Sequence, residues 1–189
     1  MRNIILIGPR ASGKTETGKI IADDIGAIFI DADRMFEEVH GSIKEFVERL
    51  SWEEFRAQET VILRNVCNLT YNRPVILCPG GGAVAHDQGE KYRLENVALL
   101  RNFGSMLYLL PYSDISRSAN ILAQRISNDG TSISSRPALN GAAANVNAVE
   151  TLMRKRDPLY RAAMDNNILT GEMSPYQVAK YILSIQESG

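Results

Sequence analysis

Residues 8–15 read GPRASGKT: a glycine, four residues, then glycine, lysine and threonine. Between a strand and a helix, this spacing forms a phosphate-binding loop. Gly13 and its neighbours, Ala11 and Ser12, let backbone N–H groups close on phosphate oxygens. The helix N-terminus behind them adds positive potential. Lys14 would reach the β- and γ-phosphates of ATP, and the Thr15 hydroxyl would ligate Mg²⁺. The competing reading is a glycine-rich turn that does no more than start a helix.

Three further groups carry chemical potential. Asp31-Ala32-Asp33 sets two carboxylates one residue apart, on the same side of an extended segment, so that one stands near Mg²⁺ and the other near an acceptor hydroxyl. Asp33 also precedes RMFEEV and is a good helix N-cap, which leaves a structural role open. Gly80, Gly81 and Gly82 follow Pro79. Each glycine costs roughly 0.5–1 kcal/mol of extra ordering entropy. Three together point to close backbone approach to a ligand, with a plain flexible turn as the other reading. Among the arginines, Arg56 has Glu59 at i+3, which by itself reads as a surface helical pair worth a few tenths of a kcal/mol. Arg156 lies in RKRDPLY, which by itself is a solvated charge run, and Arg136 lies in SSRPAL.

The elements that must hold these groups follow from the apolar pattern. NIILI (3–7), AIFI (27–30), PVILC (74–78), SMLYLL (105–110) and NNILT (166–170) read as strands. Helices are expected over 14–25, from a Ser51/Glu54 capping box through Leu69, from about 113 to 126, around 146–164, and from Ser174–Pro175 onward. Uniformly apolar strands alternating with helices mean a parallel sheet covered on both faces. Ligands in such folds sit at the carboxyl ends of strands. The phosphate loop, the two aspartates and the three glycines all fall there.

The chain has 189 residues, 44% of them apolar, and a net charge of −1, which suits one globular domain and shows no basic footprint for nucleic acid or a membrane surface. Cys67 and Cys78, with only His40 and His86 to join them, form neither a disulfide framework nor a zinc spacing. A reduced, cytoplasmic setting follows. IILI is too short for a signal core or a membrane span. Residues 127–147 are rich in Ser, Asn, Gly and Ala without apolar period and read as a long mobile loop.

The stretches GPRASGKT, DAD, EEFRAQE, PGGG, RPAL and RDPLY, in this order across about residues 4–187, resemble the shikimate kinase family of P-loop small-molecule kinases. The resemblance implies a three-layer P-loop NTPase-like α/β domain over residues 1–189. It would have a five-stranded parallel sheet, an acceptor-binding segment at about 32–62 and a mobile lid at about 127–147. It implies transfer of the γ-phosphoryl of MgATP to the 3-hydroxyl of shikimate by a cytoplasmic monomer. Arg56 and Arg156 would hold the substrate carboxylate in guanidinium forks, with Glu59 orienting Arg56. Asp33 would contact the ring hydroxyls as the candidate base, and Asp31 would reach the Mg²⁺ shell. Gly80, Gly81 and Gly82 would set backbone N–H groups against the substrate. ATP would meet Ala11, Ser12, Gly13, Lys14, Thr15 and Glu16, with Arg125 against adenine and Arg136 over the phosphates. Lys14, Asp33 and Arg136 would be the catalytic set.

Three features depart from the family pattern. Glu16 stands where Ser or Thr is usual, Pro79 replaces a usual Thr, and Arg125 and Arg136 are 11 residues apart, a longer lid. The competing functions are another small-molecule kinase, acting on gluconate or a nucleotide, and a catalytically weak regulatory domain of the same family.

Overall fold

The computed structural model describes residues 2–128 and 145–187. Within them, β1 (Asn3–Ile7), β2 (Ile28–Asp31), β3 (Val75–Cys78), β4 (Gly104–Leu110) and β5 (Asn166–Leu169) form one sheet in the order β2-β3-β1-β4-β5. Every pairing is parallel. The helices described are α1 (Lys14–Ile25), α2 (Ala32–His40), α3 (Ile43–Arg49), α4 (Trp52–Asn68), α5 (Glu90–Phe103), α6 (Ile115–Asn128), α7 (Val146–Ala163) and α8 (Pro175–Glu187).

Side chains alternate across the pleat and split the core into two layers. Ile5, Ile7, Leu77, Met106 and Tyr108 face one side, where Phe36 of α2, Phe55 and Leu63 of α4, Leu100 of α5 and Leu122 of α6 close over them. Ile4, Leu6, Ile76, Leu107 and Ile168 face the other, under Ile21 of α1 and Val178, Ala179 and Ile182 of α8. Ile4, Ile5, Leu6 and Ile7 are all fully buried. Each contributes roughly 1.5–3 kcal/mol, which is why this continuous apolar run sits at the centre of the sheet.

Three expectations need correction. The strands are not uniformly apolar: β5 lies at the sheet edge and buries only Ile168. Asp31 and Asp33 do not share an extended segment. Asp31 ends β2 and caps α2, its Oδ1 accepting from the backbone N–H of Arg34 at 3.3 Å, so Asp33 lies inside the first turn. A cap was foreseen there, but two residues late. Finally, α6 extends through Asn128 and α7 begins at Val146, so both ends of the expected 127–147 loop are helical. Residues 129–144, with Arg136, lie outside the described residues. Helices α3 and α5 had no counterpart in the sequence reading. Each buries only two side chains fully, Ile43 and Phe46 in α3 and Asn96 and Leu100 in α5, too few to impose a visible period.

Candidate active site

The first half of the site is the turn between β1 and α1. Gly13 adopts φ 88° at the N-cap, and no side chain caps α1. Helices α4 and α7, which flank the site, are capped by side chains: Ser51 Oγ accepts from the N–H of Glu54 at 3.0 Å in α4, and Asn145 Oδ1 from that of Ala148 at 2.7 Å in α7. An uncapped N-terminus keeps its first N–H groups for an anion. Ala11 is the one non-glycine residue with positive φ among the described residues, at 61°. Strain of this kind collects where a loop is shaped for a ligand. Lys14 Nζ bends back over the loop to the carbonyl of Pro9 at 2.7 Å and to Ser12 Oγ at 3.3 Å. Arg125 reaches the same loop from α6, Nη1 donating to the Ala11 carbonyl at 3.3 Å. Glu16 is exposed.

Thr15 Oγ1 donates to Asp31 Oδ2 at 3.1 Å. A hydroxyl and a carboxylate side by side, both hard oxygen donors, fit Mg²⁺ held through one or two protein oxygens and substrate phosphates. Among the described residues, no group of three or more His, Cys, Asp or Glu is placed to hold a metal unaided.

The second half is a pocket beside the loop, lined by Arg10, Asp33, Trp52, Phe55, Arg56, Glu59, Gly81, Gly82, Tyr108, Arg156 and Tyr160, with Ile43, Ile126, Val149 and Met153 as apolar wall. Arg56 is only 3% exposed and Glu59 4%, so their pair is not the surface contact that i+3 spacing alone suggests. Arg56 Nη1 donates to both Glu59 oxygens, at 2.9 and 2.8 Å. The guanidinium also stands over the rings of Phe55 and Trp52, 4.8 and 5.5 Å from their centroids. Burial raises the Glu59 carboxyl, and Arg56 opposes that shift through charge and hydrogen bonding. Arg56 still has a buried Nε with no partner among the described residues.

The glycines are sterically required at two of their three positions. At Gly80, φ is +92° and an added Cβ would stand 2.6 Å from Asp33 Oδ1; at Gly82 it would collide with the Arg56 guanidinium. At Gly81 the same atom would meet only ordinary contacts. The loop thus lets two charged side chains press against backbone. Behind it, His86 is 2% exposed, and neither ring nitrogen has a well-formed hydrogen bond. Burial, together with the charges of Arg56, Arg156 and Arg93, pushes its pKa down to about 3.

The family model for shikimate kinase matches residues 10–186. The chain belongs to the shikimate kinase family. It is 31% identical to a shikimate kinase 2 of Yersinia enterocolitica over 97% of this chain and 95% of that one. It is 38% identical to a shikimate kinase of Oleidesulfovibrio alaskensis, over 85% and 84% of the two chains. A shikimate kinase of Acinetobacter baumannii, solved in complex with shikimate, superposes with a TM-score of 0.82 at 28% identity, covering 100% of this chain and 94% of that one.

For this shikimate kinase family member, the structure gathers Lys14, Thr15, Asp31 and Arg125 around the phosphate loop and Asp33, Arg56, Gly81, Gly82 and Arg156 around the pocket. Sequence reading missed Arg10, Trp52, Phe55, Tyr108 and Tyr160 as lining residues. Two signals were present. Arg10 occupies a variable position of the loop motif, and Trp52 is the single tryptophan, set just after a helix cap. No helix among the described residues is long and apolar enough to cross a membrane. Cys67 and Cys78 are free, and burial raises both thiols, Cys67 to about 11, so neither is an activated nucleophile.

Proposed function

We propose that this kinase transfers the γ-phosphoryl group of MgATP to the 3-hydroxyl of shikimate, giving shikimate 3-phosphate, as a single cytoplasmic domain with residues 32–62 forming much of the acceptor site. The observation that carries this is the charge balance of the pocket. Three guanidiniums, Arg10, Arg56 and Arg156, face two carboxylates, Asp33 and Glu59, inside an otherwise apolar wall. Among the described residues, guanidiniums thus outnumber carboxylates beside the phosphate loop, which suits a small acid carrying a carboxylate.

In this reading Arg56 and Arg156 bind the carboxylate, Arg56 stiffened by Glu59 and two aromatic faces. Asp33, pressed against Gly80, orients the acceptor hydroxyl. The transition state of phosphoryl transfer is loose, so orientation counts for more than proton removal. Lys14 swings from Pro9 and Ser12 to the phosphates. Thr15 and Asp31 would hold Mg²⁺, which when bound neutralises charge on the transferring phosphates. With Glu16 exposed, the α-phosphate would be left to backbone N–H groups of the loop.

A substrate panel tests the assignment. With MgATP, ADP should form with shikimate and not with gluconate or AMP. Faster ADP release with gluconate or AMP than with shikimate would overturn it, and shikimate binding without turnover would favour the regulatory reading.

A further inference from the structure

Tyr160 and Tyr108 form a buried unit that the charge argument does not use. Each is 1% exposed, and their rings stack with centroids 4.8 Å apart and an interplanar angle of 23°. Tyr108 Oη donates to Asp157 Oδ1 at 3.0 Å, and Asp157 Oδ2 accepts from Arg161 Nε at 2.7 Å. Tyr160 Oη donates to the carbonyl of Gly81. Burial raises both phenols, so each remains a protonated donor at neutral pH.

The unit sits where α7 carries a proline. Pro158 lies inside α7 and has no N–H, so the carbonyl of Arg154 loses its helical donor. Arg156 lies in that interrupted turn. That turn is also tied to the rest of the fold by side chains. Asp157 ties the turn to Tyr108 on β4, and Tyr160, one turn beyond Arg156, ties it to the glycine loop after β3. Gly81 and Arg156 line the same pocket.

We infer that Tyr160 is a positioning residue for the acceptor: its hydroxyl, bonded to the Gly81 carbonyl and braced by Tyr108, holds Arg156 and the glycine loop in register on one substrate. The inference rests on the shikimate reading and adds to it a residue that acts through two others. Gly81 explains the arrangement from the other side. Its N–H faces the role of substrate contact proposed for the loop, and its carbonyl is the point at which α7 sets that loop's orientation.

The test is Tyr160→Phe in the full chain, which keeps the stacked ring and removes the donor. A hydrogen bond of this kind is worth about a factor of ten. KM for shikimate should rise about tenfold, while kcat and KM for ATP stay within about twofold. Shikimate affinity read from the fluorescence of Trp52 should weaken in parallel. Tyr108→Phe, which cuts the tie to Asp157, should move the same constant in the same direction by less. In an Arg156→Ala background, Tyr160→Phe should add little, because the two act as one unit. An unchanged shikimate KM in Tyr160→Phe overturns the inference. So does an equal rise in KM for both substrates with a lowered Tm, which is the mark of a purely structural tyrosine. If the wild-type chain does not phosphorylate shikimate, the underlying reading fails and this inference goes with it. If wild type and Tyr160→Phe use shikimate with equal KM, only the inference fails.

Discussion

The phosphate loop and the acid pocket lie side by side but are built on opposite plans. The loop comes from eight consecutive residues, and its binding groups are backbone N–H donors left open by an uncapped helix and a strained Ala11. The pocket draws on β2–α2, α4, the loop after β3 and α7, and its parts are already packed against one another: Arg56 on Glu59 and the rings of Trp52 and Phe55, and Tyr108 on Tyr160. The difference follows from what each half binds. A polyphosphate brings enough charge to organise a set of open donors around itself. A small monoacid brings one charge, so its site must be desolvated and rigid beforehand for a guanidinium to be worth much.

Substitutions can break the two halves separately. The largest effect is expected from Lys14→Met, which removes a positive charge that counts when the phosphoryl group moves. kcat should fall by about 10²–10³-fold, with shikimate affinity, read from Trp52 fluorescence, nearly unchanged. Loss of shikimate binding in that variant would show that the two halves are not separable. Next comes Arg56→Lys, which keeps a cation beside Glu59 but loses the planar fork. KM for shikimate should rise by about tenfold or more, and KM for ATP should hold. An equal loss of both affinities would mean that Arg56 serves the fold and not the substrate.

The third effect is on stability and not on either substrate. His86 in the folded chain has its pKa depressed to about 3 from an ordinary 6.5, while the unfolded chain protonates near the ordinary value. Between these two values the unfolded state binds the extra proton. Stability is therefore fully present above pH 6.5 and declines as the pH falls toward 3, by at most about 1.4 kcal/mol per pH unit from this group. His86→Leu should make Tm less sensitive to pH between 7 and 4. Parallel curves for the two proteins would assign the acid sensitivity to other groups. The result sharpens the contrast, because it measures how dry the pocket is behind its glycines.

Legibility followed the same division. The phosphate loop, the strands and the caps at Ser51 and Ser174 are decided by neighbours within four residues, and each expectation landed within a residue or two. Where a residue's meaning depended on distant chain, the local reading failed. Arg56 and Glu59 read as a surface pair because spacing alone carries no information about what covers a helix face. Asp31 and Asp33 read as one extended pair because either aspartate can cap a helix, and local sequence does not say which one starts α2.

The sequence by itself determined the order of elements, the parallel sheet and a phosphate loop at the end of its central strand, since these rest on short-range periodicity and turn chemistry. Only the tertiary structure decided that Arg56 is buried, that Tyr160 of α7 bonds Gly81 79 residues away, and that three arginines meet two acids in one pocket. Those facts depend on burial and on contacts between distant segments. Both are set by how helices close over the sheet, which no stretch of chain specifies alone.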